Sequence, residues 1–311
     1  HWEGRDNLLW RVDANGNDAV LKLFLDAGQA RSRRQFAGHQ LAAPLGLAPS
    51  PRWVDRHPEG LARQVLVYQW QTGDPLDLHN PTHGDALAQT LAQLHSHDPS
   101  SVDRFSPNPF NLDYLWRMMQ KSIAQTRRWL HDRGHTLPSF DLLADQGAAL
   151  IQAALPQWAG AAPAPIHGDP RPENVLVGFG QAILVDWEFF GLGDPAQEAA
   201  AVLHTIGTAW SAAHQESWLA AYLESMEQPG LAARIGLYRR VLPLRDLCFL
   251  LDGLRELAAD PTDLAAHAED LPFLAATTQA TLTTALAALN LDHTHSAAET
   301  SALFAGLDPD T

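Results

Sequence analysis

Three polar side chains near the middle of the chain have the types and the spacing for group-transfer chemistry. His167 and Gly168 precede Asp169, Asn174 follows Asp169 by five residues, and Asp186 ends an apolar run twelve residues later. In phosphoryl transfer, one Asp accepts the proton of an attacking hydroxyl, while an Asn and a second Asp hold Mg²⁺ against the nucleotide phosphates. The spacing therefore favours Asp169 as the catalytic proton acceptor, and Asn174 and Asp186 as metal ligands. His167 is expected to hold the loop through hydrogen bonds rather than to take part in catalysis.

Lys22 is the upstream side chain that suits the same chemistry. The chain has 21 Lys and Arg residues, and only Lys22 and Lys121 are lysines. Lys22 stands inside an apolar stretch at residues 19–25, which is predicted to be a strand. A compact ammonium suits phosphate binding as a point charge, whereas a solvent-facing Lys on an edge strand is the ordinary alternative. Combined with the downstream acids, the pattern favours a phosphate-binding Lys22.

Hydrophobic patterning predicts a β-rich start followed by a helical remainder. A hairpin signal, Asn15-Gly16, separates the first two predicted strands. The strands fall at residues 8–12, 19–25 and 64–70, with a helix at residues 30–42 and a break at residues 72–75. We therefore expect an α+β protein with two lobes, a small β-rich N-terminal lobe at residues 1–70 and a larger, mainly helical C-terminal lobe at residues 71–311.

In the second lobe, two short strands are expected to present the polar residues. They fall at residues 175–177 and 182–186, so that Asn174 enters the first strand and Asp186 leaves the second. Helical periodicity covers most of the rest, at residues 83–97, 111–129, 140–155, 195–210, 212–226, 235–257 and 273–289. The tail at residues 294–311 is also helix-prone, and we expect it to pack loosely.

Composition narrows the range of partners. The net charge of −15 disfavours nucleic acid, because binding to phosphate backbones needs clustered basic residues. The same charge fits either a cationic small substrate or simple solubility. No apolar run approaches the roughly 18 residues that cross a bilayer, so no membrane association is expected. The lone Cys248 excludes an intramolecular disulfide and fits a reducing compartment, for which the cytoplasm is the default.

The central motif resembles the signature of the aminoglycoside phosphotransferase and choline kinase superfamily, small-molecule kinases that share the two-lobed protein-kinase-like fold. The matching segments are residues 167–176, 183–187 and 191–196, and the order of the Lys-bearing strand, the hinge and the following helix also agrees. The resemblance thus covers nearly the whole chain. It implies ATP or GTP and Mg²⁺ as cofactors, contacts from Lys22 to the α- and β-phosphates, and hinge backbone at Gln69 and Trp70 facing adenine.

Two features depart from the family pattern. The family usually pairs its Lys with a Glu on the first helix, and this chain has Gln35 there, which can hydrogen-bond an ammonium but carries no charge. The first strand of the N-terminal lobe is missing or minimal, and residues 3–7 are the candidate for a nucleotide-covering turn. Gln35 motivates one alternative function, a nucleotide-binding protein with little catalysis. The joint presence of Lys22, Asp169, Asn174 and Asp186 argues for the kinase instead.

The acceptor is expected to be a hydroxyl group of a small, cationic molecule. An aminoglycoside-like acceptor is favoured, since carboxylates such as Asp194 and Glu198 could bind its amino groups. Asp194 could equally cap the helix predicted after it. A choline-, ethanolamine- or thiamine-type kinase is the alternative, because the aromatic faces of Trp210, Trp218 and Tyr222 could surround a quaternary ammonium.

Overall fold

The computed structural model describes residues 2–3, 7–14, 16–25, 31–102, 111–158 and 161–307. The chain divides into two compact units, one formed by residues 1–110 and 162–232, the other by residues 111–161 and 233–311. The predicted fold class is confirmed, because an antiparallel sheet in the first part of the chain is followed by a larger, mainly helical part. The expected lobe boundary between residues 70 and 71 stays a prediction.

A five-stranded antiparallel sheet carries Lys22. Its strands are β1 (Trp2–Glu3), β2 (Asn7–Ala14), β3 (Asn17–Phe24), β4 (Pro51–Asp55) and β5 (Gln64–Gln69), in the spatial order β1-β2-β3-β5-β4. Because side chains alternate along a strand, Lys22 shares the inner face of β3 with the buried Val20 and Phe24. Strand β3 lies between β2 and β5, so Lys22 is not the solvent-facing Lys of an edge strand.

The two outer strands of this sheet differ from the sequence prediction. Strand β4 is not among the strands predicted from the sequence. Pro51 is its first residue, and β4 lies at the edge of the sheet, where a missing N–H is tolerated. Strand β1 has two residues, which agrees with a minimal first strand. Residues 4–6 of the expected nucleotide-covering turn lie outside the described residues.

Helix α1 (Arg31–Ala42) packs closely onto the short 3₁₀ turn Trp187–Phe189. A Cβ at Gly38 would lie 2.8 Å from side-chain atoms of Trp187 and 3.0 Å from the Cβ of Phe190. The absence of a side chain at Gly38 therefore lets the helix approach the turn that follows Asp186.

Short strands and three helices complete the first unit. The helices are α2 (Pro81–His95), α5 (Pro195–Thr205) and α6 (Ala212–Glu224). One small antiparallel sheet contains β6 (Asp74–Pro75), β8 (Val175–Gly178) and β9 (Gln181–Leu184), and a second pairs β7 (Ala164–Ile166) with β10 (Gly191–Gly193). The predicted strands around Asn174 and Asp186 are therefore present, and they form a hairpin that brings Val175 opposite Leu184.

The second unit is helical. It contains α3 (Leu112–Asp132), α4 (Pro138–Trp158), most of α7 (Leu231–Leu257), α8 (Pro261–Ala266), α9 (Leu271–Ala288) and α10 (Ser296–Ala305). The expectation that the tail packs loosely is wrong, because α10 buries Leu303 and Phe304 and Glu299 accepts hydrogen bonds from Ser139. Within the described ranges, no helix is both long and apolar enough to span a bilayer.

Candidate active site

The loop at residues 167–171 is fixed by its first two residues. His167 is buried, its Nε2 donates to the Val185 carbonyl oxygen at 2.9 Å, and its Nδ1 accepts from the Asp169 N–H at 3.3 Å. Gly168 has a φ of +90°, and a Cβ there would lie 2.6 Å from the carbonyl oxygen of Phe189. Both the backbone conformation and the close contact therefore require glycine. His167 holds the loop, as the sequence predicts.

A buried carboxylate supports the same loop from α5. Glu198 is 4% exposed, and its two oxygens accept from the backbone N–H groups of His167 at 3.1 Å and Gly168 at 2.5 Å. His95 Nε2 lies 2.8 Å from Glu198, and His95 Nδ1 lies 2.7 Å from the Tyr222 hydroxyl. Burial alone would raise the pKa of Glu198, but the hydrogen bond and charge of His95, with further help from His167 and Gly168, hold this pKa below its ordinary value.

Asp169 and Asn174 lie in direct contact. The Nδ2 of Asn174 donates to the Asp169 carbonyl oxygen at 2.9 Å and to its carboxylate Oδ2 at 3.1 Å. Arg171 contacts the same Oδ2 through Nε at 3.0 Å and through Nη2 at 2.8 Å. The hydrogen bond and charge of Asp169 raise the pKa of Arg171. The loop therefore presents a carboxylate whose orientation is set by an amide and a guanidinium.

Asp186 has an unusual backbone conformation, two residues after the end of β9. Its φ and ψ are both 61°, in the left-handed region that residues other than glycine rarely adopt. The indole of the next residue, Trp187, is fully buried and donates to the Leu184 carbonyl oxygen at 2.8 Å. Backbone strain of this kind is concentrated at functional sites, where the surrounding structure sustains it.

Three oxygen atoms surround the ammonium group of Lys22, whose side chain is 1% exposed. Nζ lies 2.5 Å from Asp186 Oδ1, 3.0 Å from Gln35 Oε1 and 3.6 Å from Glu188 Oε2. Lys22 and Asp186 are thus brought together from positions 164 residues apart. The structure thus brings Lys22, Gln35 and Asp186 together in one cluster, and it pairs Asp169 with Asn174.

The predicted hinge residues lie at the end of β5. The backbone N–H of Gln69 donates to the Ser50 carbonyl oxygen at 2.8 Å, and that of Trp70 donates to the Asp18 carbonyl oxygen at 3.1 Å. Both N–H groups are therefore used within the protein. That this backbone faces adenine stays a prediction.

The chain matches one family of enzymes over most of its length. A sequence model described as the phosphotransferase enzyme family, APH, matches residues 1–237. The chain belongs to the phosphotransferase enzyme family. All five residues of the two groups lie inside the matched range, namely Lys22, Gln35, Asp169, Asn174 and Asp186. The predictions of this superfamily and of a small-molecule phosphotransferase are therefore confirmed.

Solved structures of other phosphotransferases share the fold. A choline/ethanolamine kinase family protein from Mesorhizobium loti is 20% identical, with a TM-score of 0.63 over 97% of this chain and 92% of that protein. An aminoglycoside phosphotransferase from Alicyclobacillus acidocaldarius is 19% identical, with a TM-score of 0.55 over 93% and 92% of the two chains. Spectinomycin phosphotransferase APH(9)-Ia, solved with ADP and spectinomycin, is 14% identical, with a TM-score of 0.58 over 93% and 91%. Among curated proteins, none matches this chain closely enough to count as a relative.

Asn174 and Asp186 offer the phosphotransferase a partial set of oxygen ligands. Because Nδ2 of Asn174 donates to Asp169, its Oδ1 is directed away from that residue. The Asp186 side chain is one-third exposed, and one of its oxygens contacts Lys22. Within the described ranges, His, Cys, Asp and Glu side chains form no metal-binding group of three or more. Mg²⁺ is usually held by one or two protein oxygens and completed by phosphates and water, so these donors fit it.

The three candidate substrate residues all have partners within the protein. Asp194 is buried and accepts from the Ala196 N–H at 3.0 Å, so it caps α5, which is the alternative role considered for it. Glu198 supports the loop at residues 167–171. Trp210 is buried, and its indole N–H donates to the Leu78 carbonyl oxygen at 2.9 Å. Contact between these residues and a substrate stays a prediction.

Sequence reasoning missed two side chains of the phosphotransferase that touch its site. Arg171 contacts Asp169, and its position two residues further along the same motif was a signal for it. Glu188 contacts Lys22 across 166 positions, and no spacing rule indicates that contact, since it depends on how α1 packs against the turn after Asp186.

Proposed function

We propose that this phosphotransferase moves the γ-phosphoryl group of ATP to a hydroxyl group of a small, cationic molecule, with Mg²⁺ as cofactor. The observation that carries the proposal is the buried ion pair between Lys22 Nζ and Asp186 Oδ1 at 2.5 Å. Burial of an ammonium group lowers the stability of the fold unless charged or polar partners compensate it. Here it lies beside a one-third exposed carboxylate, as a phosphate-binding cation beside a metal ligand would.

Asp169 is the proposed catalytic base. The acceptor oxygen forms a bond to the γ-phosphorus, the bond from that phosphorus to the bridging oxygen breaks to release ADP, and Asp169 takes the hydroxyl proton. Asn174 orients the Asp169 carboxylate through the 3.1 Å hydrogen bond to Oδ2. Arg171, which is largely exposed next to it, supplies positive charge where the transferred phosphoryl group is negative.

Lys22 and the end of β5 are the proposed nucleotide contacts. Lys22 would bind the α- and β-phosphates, and the backbone near Gln69 and Trp70 would contact the base. Bound Mg²⁺ would neutralise phosphate charge, with Asn174 and Asp186 as its protein ligands. ADP in the spectinomycin phosphotransferase structure supports an adenine nucleotide over GTP.

An aminoglycoside-like acceptor is the favoured substrate class. The net charge of −15 supports a cationic acceptor drawn to an acidic protein and argues against nucleic acid. A cage for choline needs open aromatic faces, but Trp210, Trp218 and Tyr222 are buried and contact one another, with Trp218 stacked on Tyr222. A choline-, ethanolamine- or thiamine-type acceptor remains the alternative. The single, buried Cys248 supports activity in a reducing compartment such as the cytoplasm.

The proposal is tested by turnover against two acceptor panels. Purified protein with Mg·ATP is incubated with aminoglycosides in one panel and with choline, ethanolamine and thiamine in the other. Phosphorylated acceptor is identified by mass spectrometry, and the Asp169→Asn variant serves as the control for contaminating kinases. A phosphorylated aminoglycoside supports the favoured class, whereas a phosphorylated amino alcohol or thiamine supports the alternative. ATP binding with no phosphorylated acceptor would indicate a nucleotide-binding protein with little catalysis.

A further inference from the structure

We infer that Glu188 positions Lys22 for nucleotide binding, taking the place of the helix carboxylate that Gln35 cannot supply. The inference rests on the proposed function, because it assigns Lys22 to the nucleotide phosphates. Glu188 touches neither nucleotide nor acceptor in this assignment and acts through Lys22.

Two carboxylates share the neutralisation of the Lys22 ammonium group. The Lys22 side chain is 1% exposed, so its ammonium depends on protein partners rather than on water. Gln35 accepts a hydrogen bond at 3.0 Å but is neutral. Asp186 supplies one negative charge at 2.5 Å, and Glu188 supplies another at 3.6 Å.

The negative charge of Glu188 matters most when Mg²⁺ is bound in the site. If Asp186 ligates Mg²⁺, its carboxylate charge is shared with the metal and compensates Lys22 less. Among the described residues, Glu188 is then the remaining carboxylate within 4 Å of Nζ. Its charge keeps the ammonium aimed into the site while Asp186 binds the metal.

Packing explains why a residue after Asp186 reaches the position that a helix residue would occupy. Gly38 lets α1 approach the 3₁₀ turn Trp187–Phe189 so closely that side chains from both elements meet at Nζ. Glu188 is itself held in place, because Asn7 Nδ2 lies 3.4 Å from its Oε2 and Arg31 Nη1 lies 3.6 Å from its Oε1. The Glu188 carboxylate is therefore buried and fixed at the position needed to hold Lys22.

The pairing itself is tested without any nucleotide. The unfolding midpoints of the wild type, E188Q, K22M and the double variant K22M/E188Q form a double-mutant cycle. We expect E188Q to lower the midpoint in the wild-type background and to have a clearly smaller effect when Lys22 is Met. Equal effects in the two backgrounds would overturn the pairing. If E188Q does not fold, K22M/E188Q decides the question. This double variant should fold if E188Q fails because the Lys22 ammonium group has lost Glu188, and it should also fail to fold if Glu188 acts elsewhere.

The positioning role is tested by moving the carboxylate. In E188Q we expect Mg·ATP affinity, measured by calorimetry, and kcat/KM each to fall on the order of tenfold, because Lys22 then keeps only Asp186, whose charge the metal shares. The double variant Q35E/E188Q should recover both to within about threefold, since Glu at position 35 places a carboxylate oxygen about where Gln35 Oε1 lies, at 3.0 Å from Nζ. The exposed Glu59→Gln is the matched control and should behave as the wild type.

The possible outcomes separate the two proposals. Unchanged Mg·ATP affinity in E188Q, or a loss that Q35E does not repair, would mean that Glu188 acts on something other than Lys22 and would overturn the inference. If the wild type neither binds nor uses ATP, the proposed function fails instead. In that case the unfolding cycle still decides whether Glu188 and Lys22 are coupled.

Discussion

The amide of Asn174 binds Asp169 twice, through the carbonyl oxygen at 2.9 Å and through the carboxylate Oδ2 at 3.1 Å. One side chain thus fixes both the backbone and the functional group of a residue five positions upstream. The proposed base and one proposed metal ligand are therefore oriented together, so that loss of these hydrogen bonds would disturb both.

Replacement of Asp169 by Asn should separate chemistry from nucleotide binding. Asn keeps the size of the side chain but cannot accept the hydroxyl proton, so we expect kcat to fall on the order of 10²-fold or more. ATP affinity should stay near that of the wild type, because the proposed nucleotide contacts lie elsewhere. Steady-state kinetics and calorimetry on the same preparation measure both quantities. Near-wild-type kcat would show that another group is the base.

Replacement of Asp186 by Ala should have the opposite signature. The variant removes a proposed metal ligand and the 2.5 Å partner of Lys22, so we expect Mg·ATP affinity to fall on the order of tenfold or more, together with kcat. The same calorimetric titration, with and without Mg²⁺, checks this. If Mg²⁺ strengthened ATP binding equally in variant and wild type, Asp186 would not be a metal ligand.

Gly168 should tolerate no side chain, for two separable reasons. Its positive φ costs a residue with a Cβ about 1 kcal/mol, and the clash with the Phe189 carbonyl oxygen adds a further cost of about 1–3 kcal/mol. Gly180 also has a positive φ, +78°, but has open space around it. Gly180→Ala therefore measures the conformational cost alone. We expect Gly168→Ala to lower the free energy of unfolding more than Gly180→Ala and to reduce kcat, and equal effects would exclude the clash.

His39 should make the protein less stable in mild acid. Burial lowers the pKa of His39 from 6.5 to about 4, against a smaller opposite effect of its hydrogen bond to Pro49. As the pH falls below 6.5, the unfolded chain takes up this proton first, so the folded state loses stability between pH 6.5 and about pH 4. For a pKa shift of this size, the free energy of unfolding falls by about 3 kcal/mol.

Chemical denaturation at a series of pH values measures this loss. The variant His39→Asn, which can still donate to the Pro49 carbonyl oxygen, should show a shallower decline over the same interval. The exposed His57→Asn is the control and should follow the wild type. A wild-type-like decline in His39→Asn would place the acid sensitivity in another group.

Local sequence patterns predicted much of the fold, because turns and the alternation of side chains in strands depend on residues that are close in sequence. The Asn-Gly signal and the alternation of the two flanking segments predicted the hairpin that carries Lys22, and the motif spacing predicted that Asp169 and Asn174 belong to one site, where the structure shows them in contact. Strand β4 could not be predicted in this way, because the tolerance of Pro51 in a strand depends on β4 lying at an edge, which is a property of the assembled sheet.

The remaining site contacts could not be predicted because they depend on packing between distant segments. Glu198 reaches the loop only because α5 is packed beneath it, where the carboxylate satisfies two backbone N–H groups. The burial of Trp210 follows from its ring contacts with Trp218 and His214 on α6. Their residue types suggested ligand binding, which stays a prediction, whereas the contacts that the structure shows for them are with other parts of the protein.

The environment of Lys22 also bears on how degenerate kinases are recognised. A search for the acidic residue on the first helix would classify this chain as an inactive relative, because position 35 is Gln. Yet a carboxylate oxygen of Glu188 lies 3.6 Å from the same ammonium, from a different part of the chain. Catalytic competence in such sequences is therefore better judged from the atoms around the lysine than from one alignment column.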